Sequence, residues 1–273
     1  MILYNNTQLA AYRRGLAAPP VFVPTMGALH TGHESLIEQA VRLAQGRAVI
    51  VSVFVNPTQF NERADFDRYP RPLLADAATC RRAGATAVYA PSVEDVYPPG
   101  ATEPVTPLPP AATEPGLEDR LRPGHFAGVV RVVRRLFELV EPQQAVFGEK
   151  DWQQLQVIRQ MTAALGMPIE IVPGPTIREP EGLALSSRNV FLTPADRATA
   201  VTISRVLREA ATQRDSSIAQ AKMQERLCSA GITPEYAVIR DAHTLGPIIP
   251  GNPARALIAA RVGSVRLIDN MPW

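Results

Sequence analysis

Residues 48–55, Ala-Val-Ile-Val-Ser-Val-Phe-Val, constrain the fold of this chain more than any other stretch of its sequence. The run is too apolar and too rich in β-branched residues for a strand with one face in water. A strand buried on both faces belongs at the centre of a parallel sheet with helices on each side. The run therefore predicts an α/β fold.

Shorter apolar runs repeat this pattern through the first two-thirds of the chain. Strands are predicted at residues 21–23, 87–90, 145–147 and 169–172, and helices at residues 36–44, 72–83, 126–140 and 152–165. Gly46 is a suitable stop for the first of these helices. Strands that alternate with such helices indicate βαβ units, so we expect a Rossmann-like parallel sheet over residues 1–176. Residues 98–116 are rich in Pro, Thr, Ala and Glu and predict an irregular surface loop.

The pattern changes after residue 176. Thr193, Pro194 and Asp196 have the spacing of a helix start, with Thr as N-cap and Pro as the first helical residue. A second helical stretch extends to residue 229. Strand-like runs follow at residues 236–240, 256–262 and 265–268, the last two joined as a hairpin by Gly263-Ser264. Residues 177–273 are therefore predicted to form a smaller α+β domain.

The composition excludes several classes of protein. A net charge of +2 gives no reason to expect a nucleic-acid or membrane partner. The sequence has no signal-peptide pattern and no apolar run of about 18 residues, so a cytoplasmic protein is expected. Cys80 and Cys228 lie far apart without metal-ligand spacing, and we interpret them as two buried, reduced thiols.

Residues 24–37 carry the strongest functional signal. They connect the first predicted strand to the first predicted helix, where open α/β sheets bind their ligands. Thr31 and Glu34 have the spacing of a capping box, which places Gly32 and His33 in the first helical turn. We therefore expect free N–H groups and a partial positive charge at this end of the helix.

These features suit an anion such as phosphate. Gly27 and Gly32 allow close approach of the backbone, and His30 and His33 can donate hydrogen bonds. Two alternatives are that the histidines bind a metal or that they only stabilise a tight turn. Two histidines are too few for zinc, and the glycine spacing favours a phosphate site over a structural turn. The chain has neither a Gly-x-x-x-x-Gly-Lys-Ser/Thr loop nor a Gly-x-Gly-x-x-Gly fingerprint.

Residues 148–154 form a second strand-to-helix junction. Asp151 can cap the helix with Gln154 at the third helical position, which is a purely structural role. Lys150 can instead place a mobile positive charge beside phosphates. The segment alone leaves both interpretations open.

Two further segments are individually weak signals. Ser186, Ser187 and Arg188 suit the β- and γ-phosphates of a nucleotide, although such a run is more often a surface turn. Asn56 and Gln59 follow the buried strand and have amides that can bind a small polar substrate. On that segment alone, turn formation around Asn-Pro is the favoured interpretation.

Seven motifs in this order and spacing resemble the pantothenate synthetase family over nearly the whole chain. They occupy residues 24–33, 54–60, 68–71, 90–98, 122–129, 148–154 and 182–189. The resemblance implies the wider nucleotidyltransferase superfamily, with its His-x-Gly-His signature. It also implies ATP-dependent condensation of pantoate with β-alanine, through a pantoyl-adenylate, to give pantothenate, AMP and pyrophosphate.

The resemblance also implies roles for individual residues. Gln59 would contact pantoate and β-alanine, and Gln154 pantoate; Asn56, Arg122 and Tyr69 would belong to the substrate site. His33 would be catalytic, with His30, Lys150 and Arg188. ATP would be bound by Met26, Gly27, Ala28, Leu29, His30, Thr31, Gly32, His33, Gly148, Glu149, Lys150, Asp151, Ile177, Leu185, Ser186, Ser187 and Arg188.

Other expectations concern the metal, the assembly and the departures from the family pattern. Mg²⁺ would accompany ATP, with Asp76 either as a possible ligand or as a carboxylate on a helix surface. The resemblance implies a homodimer in which residues 177–273 close over the ATP site. Trp152 replaces a more usual Tyr, Glu181 a usual Asp, and residues 99–121 match least well.

Three rival functions remain for comparison. A cofactor adenylyltransferase would share the His-x-Gly-His signature but would consume no amine. A nucleotide-binding regulator without catalysis has no support, because the charged residues that the reaction needs are present. An RNA-binding role would require a basic stripe that the sequence lacks.

Overall fold

The computed structural model describes residues 1–60, 63–100 and 105–273, without the side chains of residues 63–65. The chain divides into two compact units. The first unit consists of Met1–Glu149 and Val157–Gly174, and the second of Lys150–Gln156 and Pro175–Trp273. Each unit has its own sheet.

The sheet of the first unit is six-stranded and parallel, in the order β1-β4-β3-β2-β5-β6. Its strands are β1 (Ile2–Leu3), β2 (Val21–Thr25), β3 (Val49–Val53), β4 (Ala87–Tyr89), β5 (Gln144–Gly148) and β6 (Glu170–Gly174). The predicted central strand is β3, and four of its five residues are buried. Apart from the short edge strand β1, the order is that of a Rossmann-like sheet, which confirms the predicted fold class.

The described helices beside this sheet comprise the four predicted at residues 36–44, 72–83, 126–140 and 152–165 and four that were not predicted. They are α1 (Asn6–Arg14), α2 (Thr31–Ala44), α3 (Arg63–Arg68), α4 (Leu73–Arg82), α5 (Val93–Val96), α6 (Glu118–Leu121), α7 (His125–Val140) and α8 (Trp152–Ala164). Helix α2 ends at Gln45, which is left-handed with φ of 48°, and Gly46 follows with φ of 88°. The strand predicted to end before Pro24 continues to Thr25. Pairing of β2 with β5 is confined to residues 21–22, so the missing N–H of Pro24 removes no bond to β5.

The predicted surface loop at residues 98–116 is partly buried. Residues 101–104 of this prediction lie outside the described chain. Ala111 and Ala112 belong to a short 3₁₀ turn and are 0% and 5% exposed, and the Ala111 N–H donates to Gln160 Oε1 at 2.9 Å. The expectation of a wholly superficial loop is therefore wrong, because small alanine side chains allow the backbone to pack inwards.

The second unit is α+β, as predicted. It contains α9 (Pro194–Ala210), α10 (Ser216–Ser229) and an antiparallel sheet of β7 (Thr233–Asp241), β8 (Ala254–Val262) and β9 (Val265–Pro272). The Thr193 side chain accepts from the Asp196 N–H at 3.1 Å, which confirms the predicted start of α9. Gly263, with φ of 56°, lies in the predicted hairpin turn. Among the described residues, no helix has the length and apolar character needed to cross a membrane.

Candidate active site

The segment between β2 and the first turn of α2, residues 26–33, is called the histidine turn below. Gly27 and Ala28 have φ of 84° and 52°, in the left-handed region that disfavours most side chains. A Cβ atom on Gly27 would lie 2.9 Å from Asp76 Oδ2 and 2.9 Å from Val53 Cγ1. Both the backbone angle and this close approach therefore require glycine at position 27.

Asp76 holds the histidine turn. It extends from α4, is 2% exposed, and accepts from the N–H groups of Ala28 at 2.9 Å and Leu29 at 2.8 Å. The interpretation of Asp76 as a carboxylate on a helix surface is therefore wrong. In the structure, the anion that lies close to the Gly27 backbone is the carboxylate of Asp76.

Two histidine rings cap the start of α2. His30 is the N-cap residue, and its Nδ1 accepts from the Gly32 N–H at 3.1 Å, while His33 Nδ1 accepts from the His30 N–H at 3.3 Å. The predicted capping box of Thr31 and Glu34 is wrong, because this histidine pair caps the helix one residue earlier. Glu34 instead pairs with Arg82 at 3.0 Å.

The same bonds determine where the protons of the two rings lie. A neutral histidine whose Nδ1 accepts a hydrogen bond carries its proton on Nε2. The two ring centroids are 4.1 Å apart. Both rings can therefore combine a structural role at Nδ1 with donation from Nε2 to an anion.

Six of the eight backbone N–H groups of the histidine turn donate within the protein. The Gly27 N–H donates to Thr25 Oγ1 at 3.2 Å, and the N–H groups of Ala28, Leu29, His30 and Gly32 have the partners given above. The His33 N–H donates to the His30 carbonyl at 2.7 Å. The expectation of several free N–H groups at this helix end is therefore wrong. Recognition of an anion here has to come mainly from side chains.

Gln59 packs against the histidine turn. It ends a 3₁₀ turn of Pro57–Gln59, and its Nε2 donates to Met26 Sδ at 2.6 Å. Its Oε1 accepts from Asn56 Nδ2 at 3.1 Å. A residue that the resemblance assigns to pantoate and β-alanine thus contacts a residue that it assigns to ATP.

Asn56 is buried beneath Gln59, with 1% of its surface exposed. Its Nδ2 also donates to the Gly128 carbonyl at 3.1 Å, and its Oδ1 accepts from Thr58 Oγ1 at 2.9 Å and Tyr97 Oη at 3.0 Å. A Cβ atom on Gly128 would lie 2.3 Å from the Thr58 carbonyl oxygen, so glycine is needed where α7 meets this turn. Both sides of the Asn56 amide are engaged inside the protein.

Two other predicted substrate residues lie on neighbouring elements of the first unit. Tyr69 follows α3, and its ring packs edge-on against Phe60 with centroids 5.7 Å apart. Arg122 follows α6, where its Nη1 lies 3.9 Å from Glu118 Oε2. Gln154 is the third residue of α8 and belongs to the second unit.

Glu149–Asp151 form a 3₁₀ turn between β5 and α8, called the lysine turn below. The Lys150 carbonyl accepts from Asn270 Nδ2 on β9 at 2.9 Å. Asp151 stands directly before α8, as its predicted capping role requires. In the sheet of the first unit, β5 lies next to β2 at the point where the strand order reverses, which is where such folds bind ligands.

Residues 177–188 form a folded loop in the second unit. The Leu185 N–H donates to the Ile177 carbonyl at 2.9 Å, and Ser186 Oγ accepts from the Arg188 N–H at 3.2 Å. Arg178 forms a two-pronged ion pair with Asp269 on β9, at 2.6 and 2.9 Å. The loop is therefore fixed at its base, whereas the Arg188 side chain is exposed.

Several supporting residues were not recognised as such in the sequence. His125, whose Nδ1 lies 3.1 Å from the Gln59 carbonyl oxygen, and Gly128 are both in the motif at residues 122–129, which could have drawn attention to them. Asp76 is four residues before buried Cys80 and therefore shares the inner face of α4. Asp269 and Asn270 had no comparable local signal.

The structure bears on the metal and cysteine expectations. Within the described part of the chain, no group of three or more His, Cys, Asp or Glu side chains could hold a metal ion. Cys80 is buried, and burial together with nearby Asp76 raises the pKa of its thiol to about 12. Cys228 is exposed, so the expectation of two buried thiols is wrong for this residue.

The strand order and the position of the histidine turn place the chain among the Rossmann-like α/β proteins. A family model for pantoate-β-alanine ligase matches residues 4–272, and the chain belongs to this family. The family resemblance predicted from the seven motifs is thereby confirmed.

Three relatives match this chain over almost the whole length of both proteins. A pantothenate synthetase from Rhizorhabdus wittichii is 48% identical over 271 residues, which cover 97% of this chain and 94% of the relative. The crystal structure of pantothenate synthetase from Thermus thermophilus is 43% identical, with a TM-score of 0.89 and coverage of 99% and 98%. That of pantoate-β-alanine ligase from Francisella tularensis, in complex with β,γ ATP and β-alanine, is 35% identical, with a TM-score of 0.82 and coverage of 100% and 97%.

Proposed function

We propose that this protein condenses pantoate with β-alanine in an ATP-dependent reaction that yields pantothenate, AMP and pyrophosphate. Membership of the pantoate-β-alanine ligase family supports the overall reaction. The observation that carries the assignment of the site is the contact between Gln59 and Met26. It joins the proposed pantoate-binding turn to the proposed ATP-binding turn within one unit of the protein.

The first chemical step activates a carboxylate. A carboxylate is a poor acyl donor at neutral pH, because its charge repels nucleophiles and oxide is a poor leaving group. A pantoate oxygen attacks the α-phosphorus of ATP, the bond to the bridging oxygen breaks, and pyrophosphate leaves. The product is a mixed anhydride, pantoyl-adenylate, whose leaving group in the next step is AMP.

Negative charge increases on the departing pyrophosphate during this step. In the first unit, His30 and His33 donate from Nε2–H to the phosphates, while their Nδ1 atoms accept backbone N–H groups. The remaining proposed ATP residues of the histidine turn, 26–29 with Thr31 and Gly32, shape this site. Such preorganised donors stabilise a transition state because they need no reorientation as charge develops.

The second unit contributes the proposed cationic and hydroxyl groups. Lys150 supplies a positive charge from the lysine turn, and Arg188 with Ser186 and Ser187 contacts the β- and γ-phosphates. Residues 148–151, Ile177 and Leu185 complete the proposed ATP contacts. Mg²⁺ enters as part of the substrate MgATP, held mainly by phosphate oxygens and water.

The second step forms the amide bond. The neutral amine of β-alanine attacks the acyl carbon of pantoyl-adenylate, loses a proton, and AMP departs. Gln59 contacts pantoate and β-alanine, and Gln154 contacts pantoate. Asn56 acts through Gln59, since its amide is buried and bonded within the protein. Tyr69 and Arg122 line the substrate site.

We also propose a cytoplasmic homodimer with two functional domains, residues 1–176 and 177–273, the second closing over ATP. The family resemblance supports this proposal. Light scattering at two protein concentrations gives the mass directly, with twice 29.7 kDa as the expected value. A mass equal to the single chain would contradict the dimer.

Product analysis tests the proposed reaction. The protein is incubated with ATP, Mg²⁺, pantoate and β-alanine, and each component is omitted in turn. We expect AMP, pyrophosphate and pantothenate together only in the complete mixture. ADP in place of AMP would indicate an acyl-phosphate route, and an adenylated product without amine consumption would indicate an adenylyltransferase.

A further inference from the structure

The backbone of Lys150 is anchored by a residue far away in sequence. Asn270, on β9, is 3% exposed, and its Nδ2 donates to the Lys150 carbonyl at 2.9 Å. The other side of the same amide is also used, because Asn270 Oδ1 accepts from Arg255 Nε. An amide held on both sides has one orientation, so its donor points at the Lys150 carbonyl.

Arg255 extends this anchor to the start of α8. Its guanidinium is 3.4 Å from the centre of the Trp152 ring, and the residue is 6% exposed. The Trp152 ring is held in turn, because its Nε1–H donates to the Ala242 carbonyl at 2.8 Å. The lysine turn is therefore attached at Lys150 and again two residues later.

The neighbour of Asn270 anchors the 177–188 loop. Asp269 is 4% exposed and binds Arg178 through both carboxylate oxygens. Asp269 Oδ1 also accepts from the Asn270 N–H at 2.8 Å. Two adjacent residues of β9 thus hold the two segments of the second unit that are proposed to bind ATP.

We propose that Asn270 is a positioning residue for Lys150 in the adenylation step. This inference rests on the proposed role of Lys150 at the phosphates. The lysine side chain is long and flexible, so its reach is set by the backbone from which it extends. A carbonyl fixed by Asn270 restricts that backbone and so limits the region that the ammonium group can reach.

The sequence provides a direct test, because Lys150 and Lys222 are its only lysines. Under native conditions, a lysine-specific protease cleaves after Lys150 only when the lysine turn opens, and Lys222 on α10 serves as an internal reference. Asn270→Asp keeps the size of the side chain and an acceptor for Arg255, but it replaces the donor with an oxygen that repels the Lys150 carbonyl. Asn270→Ala is the second variant.

We expect Asn270→Asp to raise the ratio of cleavage at Lys150 to cleavage at Lys222 about tenfold, the effect of losing one hydrogen bond. The control is Thr193→Ala, which removes the N-cap side chain of α9, bonded at 3.1 Å to the Asp196 N–H in the same unit. The control should leave the ratio unchanged. An unchanged ratio in both Asn270 variants, or an equal rise at both lysines, would overturn the anchoring role.

Pyrophosphate release connects the anchor to the reaction. Asn270→Asp should lower kcat about tenfold, and it should have less than about a twofold effect when Lys150 is already alanine. A full further tenfold loss in the Lys150→Ala background would show that Asn270 acts independently of Lys150 and would overturn the proposal. If Lys150→Ala alone releases pyrophosphate normally, the assigned role of Lys150 fails, whereas the cleavage ratio still reports on the anchor.

Discussion

The histidine turn and the lysine turn are held in opposite ways. The histidine turn has left-handed residues at Gly27 and Ala28, and the carboxylate of Asp76 accepts two of its N–H groups. The lysine turn is a 3₁₀ turn, and the amide of Asn270 donates to one of its carbonyls. One turn is held by a charged acceptor, and the other by a neutral donor.

This difference predicts different sensitivities to mutation. Hydrogen bonds to a charged group are about twice as strong as neutral ones, and Asp76 accepts two of the N–H groups of its turn. The lysine turn shares its attachment between Asn270 and the stacked pair of Arg255 and Trp152. Single substitutions should therefore affect the histidine turn more severely.

The largest effect is expected at the catalytic end of the histidine turn. His33→Ala should slow pyrophosphate release by about 10²–10³-fold, the usual cost of one preorganised charge-stabilising donor. His33→Asn separates capping from catalysis. The asparagine Oδ1 can accept the hydrogen bond that His33 Nδ1 accepts, but asparagine has no atom that can replace Nε2. We expect Asn to be nearly as slow as Ala. Normal pyrophosphate release in either variant would remove His33 from the mechanism.

Asp76→Asn should show how much the histidine turn depends on its charged anchor. We expect a loss of about 3 kcal/mol in the free energy of unfolding, since a buried N–H loses its acceptor. Pyrophosphate release should fall by about 10²-fold, the effect of a displacement near 1 Å. Urea unfolding and single-turnover kinetics measure the two quantities.

Asp95→Asn is the matched control for this prediction. Asp95 also accepts from two backbone N–H groups, those of Asn6 and Ser92, but it does not contact the histidine turn. The Asp95→Asn variant should have a lower free energy of unfolding but an unchanged rate of pyrophosphate release. Thiol labelling adds a local reporter, because Cys80 should become reactive in Asp76→Asn while exposed Cys228 reacts in every variant. Equal rates in the two Asp variants would contradict the positioning role of Asp76.

Gln59→Ala tests the substrate side of the histidine turn. It should raise the KM for pantoate about tenfold, because one or two hydrogen bonds to the substrate are lost. The KM for ATP should change less than about twofold. Initial rates measured against each substrate in turn separate the two. A rise confined to the KM for ATP would mean that Gln59 supports the nucleotide site through Met26 and does not bind pantoate.

The smallest effect is expected beside the lysine turn. Trp152→Phe keeps a ring for Arg255 but loses the bond to the Ala242 carbonyl, so unfolding should become easier by about 1–2 kcal/mol. Its kcat should stay within about twofold of the parent, because the Asn270 bond remains. A fall in kcat as large as that of Asp76→Asn would show that the two turns are equally sensitive.

The fold and the motif positions were accessible from the sequence because their signals are local. The buried run at residues 48–55 led to the central strand, and Thr193-Pro194 located the start of α9. The two-residue strand β1 was missed because two residues show no periodicity. Helix α2 was assigned a later start because histidine is an uncommon N-cap residue.

The supporting residues were harder to find, because their partners are distant in the chain. Asp76 is 47 and 48 residues from the two N–H groups that it binds, and Asn270 is 120 residues from Lys150. Local patterns indicate that a turn exists and which residues it contains. They do not indicate which buried carboxylate or amide will complete its hydrogen bonds.

Asn270 contacts the carbonyl of residue 150 and not its ammonium group, which makes the anchor independent of the side chain at that position. Arginine, ornithine-like or photoactivatable residues introduced at position 150 would therefore start from the same backbone. Because Lys222 is the only other lysine, Lys150 is the single lysine available to an amine-reactive label once Lys222 is replaced. The turn is thus an attachment point for probes that report on nucleotide binding.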